Sequence, residues 1–355
     1  MKKMLLYITV FSIALIASLL LTPKAKQAAF LFNALDKPSE RKVHDRLMPR
    51  LGGIAIYSGF MIAAIVGIIA ALVLNKKLPY ESLYAIMAGS TLIFLLGAVD
   101  DVRGLSSAVK FFWQIVAASI PMFFGVQVFY LSNPFNGVIL LGALAAPFTL
   151  LWIVGLSNAI NLADGLDGLA AGIAAIASFT LFIVAVRIHQ PGAAIFLIAL
   201  AGSCIGFLRY NFNPASIFLG DSGSLFLGYI LATASVIGVL KSTIFLSLLI
   251  PILILGIPIY DTASVMMRRF RSGKNIFLAD KGHLHHRLLN KGLSHRQTVL
   301  SIYLACLLLG LASLAITLLD LYAAIAVIIV IAVVGYLRLR KIRRCADGRP
   351  CRGED

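Results

Sequence analysis

Five aspartates stand in three short polar segments between long apolar runs: Asp100 and Asp101, Asp164 and Asp167, and Asp221. An ionised aspartate at the centre of a membrane helix costs about 2.5 to 3.5 kcal/mol, whereas one at a helix end reaches water and can meet a cation. The first segment, Asp100-Asp101-Val102-Arg103-Gly104, is followed by Lys110. Two adjacent carboxylates suit a hard cation, and the lysine suits a phosphate. Taken alone such a pair is an ordinary helix-end turn. The second segment sets Asn158, Asn161, Asp164 and Asp167 at a spacing of three, with Gly165 and Gly168 between and after the acids. Oxygens three residues apart share one side of a helical turn, and two glycines permit close backbone approach. The third runs from Asn211 to Gly220-Asp221-Ser222-Gly223-Ser224 and opens an apolar helix. Amides at that helix start favour an anion beside a metal held by Asp221, and Phe218 offers a flat ring for stacking.

Two further segments carry polar chemistry. Arg268, Arg269, Arg271 and Lys274 precede His283-Leu284-His285-His286-Arg287. No cysteine stands near to complete a tetrahedral zinc shell, so phosphate contact is expected of these histidines. The first polar loop contains Asp36, Arg41 and His44, then Pro49-Arg50-Leu51-Gly52-Gly53. Its basic residues also serve as topological ballast, while the acids and the Gly-Gly pair point to contact with an acceptor or a neighbouring loop.

The elements that must position these side chains are membrane spans. The 355 residues are 60% hydrophobic and 13% charged, with many runs long enough to cross a bilayer. A net charge of +16 would suggest nucleic acid in a soluble chain. Here the basic residues occupy short loops, so no nucleic-acid partner is expected. An all-α polytopic protein follows, with about eleven spans near 4–22, 52–74, 82–99, 110–125, 145–160, 168–186, 193–208, 223–240, 243–266, 297–317 and 322–337. The first run lacks a small-x-small cleavage pattern before Pro23, so it is expected to stay as a helix. Turn chemistry at 132–137 predicts a small external β-hairpin. Alternate loops and the tail hold 25 of the 31 lysines and arginines, which predicts an N-out, C-in topology with all five acids on the cytoplasmic face. One integral domain, 1–337, and a basic cytoplasmic tail, 338–355, account for the chain. Cys204, Cys306, Cys345 and Cys351 have no metal-site spacing.

Together the segments resemble the polyprenyl-phosphate N-acetylhexosamine-1-phosphate transferase superfamily. The likeness rests on the Asp-Asp loop with Lys110, the Asn-x-x-Asn-x-x-Asp-Gly-x-Asp-Gly loop, the Asn211–Ser224 loop and the His-x-His-His loop, in that order. The first loop, Asp36-Lys37-Pro38 through His44, looks like the bacterial undecaprenyl-phosphate N-acetylglucosamine-1-phosphate transferases. The resemblance implies transfer of N-acetylglucosamine 1-phosphate from UDP-N-acetylglucosamine to undecaprenyl phosphate, with release of UMP, in the bacterial inner membrane. UDP-MurNAc-pentapeptide or another UDP-N-acetylhexosamine is the alternative substrate, and a cation-coupled transporter is the alternative of another class. By matching positions the resemblance implies Mg²⁺, with Mn²⁺ as a substitute, held by Asp221 with Asn161 or a nearby acid assisting. Phe218 and Asn211 fall on the uridine side and Lys110 on the pyrophosphate. Asp100 and Asp101 fall on the acceptor side, where they would orient or deprotonate it. Arg268, His283, His285 and His286 fall on the sugar phosphate side. Asp164 and Asp167 are either ligands or supports for Asn161, and a homodimer is left open.

Overall fold

The structure is a computed structural model; it describes residues 2–36, 47–132, 137–240, 249–273, 282–319, 322–324 and 326–330. Arg41, His44, Lys274 and the 338–355 tail lie outside the described residues, as does half of the expected last span.

Among the described residues, eight helices are long and apolar enough to cross a membrane. The chain is a multi-pass membrane protein. These helices are α1 (Lys2–Leu31), α2 (Gly53–Val73), α3 (Tyr80–Arg103), α5 (Ala145–Ala163, preceded by a 3₁₀ turn), α6 (Leu169–Arg187), α7 (Pro191–Asn211), α8 (Gly220–Ser235, continued by a π turn) and α12 (His295–Leu318). The shorter apolar helix α4 (Ser107–Phe123) lies between α3 and α5. α7 and α8 form the centre, where nearly every residue is buried, including Phe196, Phe207, Phe226 and Tyr229. α1, α2 and α6 wrap α7, while α3 and α5 flank α8.

Two expectations about spans need correction. The helix expected to stop at residue 22 continues through Pro23 to Leu31. Thr22, Ala25 and Ala29 remain on one buried face, and that packing carries the helix past the proline. The span expected at 243–266 is broken within its described part, into α9 (Leu249–Ile254) and α10 (Gly256–Arg271), meeting at Leu255. Pro258 sits in the first turn of α10, where its missing N–H is no loss. α10 then runs on to carry Arg268, Arg269 and Arg271 in its last turn, before the short helix α11 (Leu284–Leu289).

The expected hairpin is present as β3 (Tyr130–Ser132) paired antiparallel with β4 (Val138–Leu140). It follows the end of α4 remote from Lys110, and Ser82 at the start of α3 bonds Phe124 O nearby. An unexpected two-residue pair, β1 (Leu35–Asp36) with β2 (Met48–Pro49), lies at the other end, where the five aspartates gather.

Candidate active site

The acids meet because helix termini do. α3, α5 and α7 end, and α2, α4, α6 and α8 begin, at the same end of the bundle. The segment before α2 is laced to the one before α8. Phe218 N donates to Pro49 O, Gly52 N to Phe218 O, and Gly53 N to Leu219 O. Gly220 then turns the chain into α8 at φ +74, and a Cβ there would lie 2.1 Å from Arg50 O and 2.4 Å from Asp101 Oδ2. Only glycine combines that backbone with that contact.

Asp101 is buried and caps the start of α8. Its Oδ1 accepts from Asp221 N at 2.8 Å, and its Oδ2 accepts from Ser222 N at 3.0 Å and Ser222 Oγ at 2.7 Å. Asp100 accepts from Leu105 N at 2.6 Å and from Lys110 Nζ at 2.9 Å. The same ammonium lies 3.1 Å from Asp221 Oδ2, so Lys110 bridges the first and third acidic segments. Asn161 donates to Ser224 Oγ at 2.8 Å, and Ser224 Oγ to Gly220 O at 3.0 Å. Asp167 Oδ2 accepts from Asn213 Nδ2 and Ala215 N, each at 3.0 Å. Buried Asn211 accepts from Gly168 N and donates to Ile217 O, tying the second and third loops together.

A cavity of about 400 Å³ opens in front of this network, within the range of small-molecule sites. Asp36, Asn161, Asp164, Asp167, Asn211, Phe218, Asp221 and His286 line it, with Arg50 and His295. Asp100, Asp101 and Lys110 stand behind Asp221 instead of in the lining. His283 and His285 are buried behind His286, and Arg268 donates to Gly282 O at the approach to the histidine loop.

Sequence reasoning missed four contributors. Arg50 reaches Asp36 at 3.4 Å and Asp101 at 3.9 Å. Burial works against its charge, yet Asp101, Asp36, Asp221 and Asp164 outweigh that and raise its pKa. His295 enters from the first turn of α12. Gln114 exchanges amide hydrogen bonds with Asn158, joining α4 to α5. Buried Asp261 lies 2.9 Å from His283 Nδ1. Gln114 lies one helical turn beyond Lys110, and Asp261 is an acid inside an apolar run; both were signals in the sequence.

The electrostatics favour a cation. Six carboxylates, those of Asp36, Asp100, Asp101, Asp164, Asp167 and Asp221, face two side-chain cations, Arg50 and Lys110. Asp164 is pushed up to about 8, first by burial, then by Asp221, with Arg50 opposing and Asp101 and Asp167 adding. Burial, with His286 and His283 nearby, lowers His285 to about 4, so it is neutral at physiological pH. Among the described residues no three His, Cys, Asp or Glu groups form a ready-made metal shell. The lining oxygens are hard donors, the chemistry of a divalent cation such as Mg²⁺, which takes one or two carboxylates and completes its shell with phosphate and water.

The chain is thus a multi-pass bundle with an acidic cavity at one end and a lysine bridging two acids behind it. The pattern of glycosyl transferase family 4 matches residues 83–239, the stretch from α3 through the end of α8. The chain is 42% identical over 308 residues to the probable undecaprenyl-phosphate N-acetylglucosaminyl 1-phosphate transferase of Bacillus subtilis (strain 168), covering 85% of this chain and 83% of that protein. It is 36% identical over 314 residues to the decaprenyl-phosphate N-acetylglucosaminephosphotransferase of Mycobacterium tuberculosis (strain ATCC 25618 / H37Rv), covering 80% and 76%. Against the phospho-N-acetylmuramoyl-pentapeptide-transferase of Staphylococcus carnosus (strain TM300) it is 32% identical over 335 residues, covering 87% and 97%. The chain belongs to glycosyl transferase family 4.

Proposed function

We propose that this chain transfers N-acetylglucosamine 1-phosphate from UDP-N-acetylglucosamine to undecaprenyl phosphate, at the cytoplasmic face of a bacterial inner membrane, to initiate a cell-envelope polysaccharide. The observation that carries the reading is the Asp100–Lys110–Asp221 bridge behind a cavity that presents Phe218 and the Asp164–Asp167 loop. The name of the B. subtilis relative supports the substrates.

In this reading an oxygen of the acceptor phosphate attacks the β-phosphorus of the UDP-sugar. A new P–O bond forms, the bond to the bridging oxygen breaks, and UMP leaves with that oxygen. Phosphate monoesters have a second pKa near 6, so much of the acceptor is a dianion at neutral pH and positioning matters more than base strength. Phe218 stacks on the uracil, and Lys110 bears on the pyrophosphate. Asp100, which keeps a lysine contact beside Asp221, orients the acceptor. Asp101 has both oxygens engaged by the start of α8, which suits a positioning role and favours direct displacement over an aspartyl intermediate. Asp221 and Asn161 would hold Mg²⁺, or Mn²⁺ as a substitute, which when bound neutralises charge on the pyrophosphate and leaving group.

The transporter alternative needs acids near mid-span, and the helix-terminal placement of all five weighs against it. UDP-MurNAc-pentapeptide remains the second substrate to test, given the S. carnosus relative. Purified protein with undecaprenyl phosphate, Mg²⁺ and a panel of UDP-sugars is expected to yield UMP and lipid-linked product with UDP-N-acetylglucosamine. No divalent-cation-dependent product from any sugar overturns the reading.

A further inference from the structure

We propose that Asp261 is a positioning residue for this reaction: its buried carboxylate seats the histidine loop, and through that loop the Asp164–Asp167 wall of the cavity. The inference rests on the transferase reading above.

Asp261 lies on α10 and makes two contacts across to α11. Oδ2 is 2.9 Å from His283 Nδ1, and Oδ1 accepts from Leu284 N at 2.7 Å. Leu284 opens α11, so its N–H has no partner within the helix. One carboxylate therefore fixes both the first turn of α11 and the ring of the residue before it. His283 stacks parallel to His285, with ring centroids 5.7 Å apart and 9° between planes. His285 in turn abuts His286 at 4.3 Å, and His286 lines the cavity.

His285 also presses on Gly165. A Cβ at residue 165 would lie 2.2 Å from His285 Nε2, so the loop between Asp164 and Asp167 is shaped around this imidazole. The connected series runs Asp261, His283, His285, Gly165, and ends at two carboxylates that line the cavity. Of the three loop histidines, only His286 is among the residues that line the cavity; the buried pair transmits position. A carboxylate paired with an imidazole Nδ1 also sets which ring nitrogen carries the proton. A plain helix-to-helix staple would need neither the His283 stack nor a glycine under His285.

The test uses the full-length protein in detergent with Asp261→Asn, Asp261→Ala, His283→Ala, the Asp261→Ala/His283→Ala double variant and Gly165→Ala. Displacing reacting groups by about 1 Å costs about 100-fold, so Asp261→Ala is expected to lower kcat/KM for UDP-N-acetylglucosamine by about 10- to 100-fold. Asp261→Asn, which keeps one acceptor, is expected to lose less. KM for undecaprenyl phosphate stays unchanged, the double variant is no worse than Asp261→Ala, and Gly165→Ala reproduces the pattern. A uniform loss in both substrates, losses that multiply in the double variant, or kcat/KM held within about twofold in Asp261→Ala overturns the proposal. Should Asp261→Ala not accumulate as folded protein, Asp261→Asn and Gly165→Ala decide by the same criteria. Turnover separates the two readings. Wild type that makes no product defeats the transferase assignment, whereas wild-type turnover with kcat/KM held within about twofold in both Asp261→Ala and Asp261→Asn defeats the role of Asp261.

Discussion

Replacing Asp101 separates a reacting carboxylate from a positioning one. Its two oxygens accept three hydrogen bonds, at 2.8, 3.0 and 2.7 Å, from the first turn of α8, and the side chain has no exposed surface. In Asp101→Asn the carbonyl oxygen can keep both Ser222 donors, but the amide NH₂ then faces Asp221 N–H. One hydrogen bond to a charged group is lost, about 1.5 to 3 kcal/mol. Asp101→Ala strands two backbone N–H groups and a hydroxyl, and breaking a buried charged contact costs about 3 to 5 kcal/mol. Ser222→Ala removes one donor and leaves the other two, so it should be mildest. The expected order of apparent thermal midpoint in detergent is wild type, Ser222→Ala, Asp101→Asn, Asp101→Ala. UMP release should fall in the same order, because the bonds hold the backbone of Asp221 and a displacement of about 1 Å there costs about 100-fold. Asp101→Asn with unchanged midpoint and no turnover would refute this reasoning and make Asp101 a reacting group. Unchanged midpoint together with unchanged turnover would refute the capping contact itself.

Three further outcomes are expected. Lys110→Met leaves Asp100 and Asp221 facing each other without their shared ammonium, and should cost about 10² to 10³ in kcat, as loss of a charge-stabilising donor does; Lys110→Arg, with a longer planar head, should not restore it. Gly53→Ala would place a Cβ 2.3 Å from Gly223 N, against backbone that cannot yield, and should lower stability by about 1 to 3 kcal/mol, read as a drop in thermal midpoint. His285 is lowered to about 4 from an ordinary 6.5, so the unfolded chain takes up its proton first as pH falls; this contribution to stability is present above about 6.5 and lost toward 4. The thermal midpoint of wild type should therefore decline across that window more steeply than that of His285→Gln, and equal slopes would remove the effect.

The polar loops were legible because each motif is local: acids, amides and glycines at short spacing, set at the end of an apolar run. Their convergence was legible from the cost of burying charge, and all three acidic segments do meet at one end of the bundle. What joins them was not legible. The partners Asp101 and Ser222, or Arg50 and Asp101, are far apart in sequence, so no local spacing reports them. Arg50 was absorbed into topological ballast, where any basic residue fits. Asp261 was hidden by reading 243–266 as one span, although an acid inside an apolar run is expensive unless it is paired. The continuation of α1 past Pro23 depends on tertiary packing that overrides the usual meaning of proline.

The same geometry sets a condition on substrate binding. A nucleotide diphosphate and a phosphate acceptor both bring negative charge into a space lined by Asp36, Asp164, Asp167 and Asp221, with Asp100 and Asp101 behind it. Lys110 and Arg50 cannot neutralise it alone, since each is already shared between acids: Lys110 between Asp100 and Asp221, Arg50 between Asp36 and Asp101. At an effective dielectric of about 20, two like charges 4 Å apart repel by about 4 kcal/mol. On the transferase reading, a bare UDP-sugar is repelled and one carrying a divalent cation is not. Affinity for the nucleotide should then depend on Mg²⁺ far more steeply than affinity for uridine, which carries the ring that Phe218 would stack on but no phosphate. Titrating UDP and uridine with and without Mg²⁺ measures that difference. Equal Mg²⁺ dependence for both ligands would mean that the acidic frame does not discriminate charge, and the role assigned to Asp221 and Asn161 would fall with it.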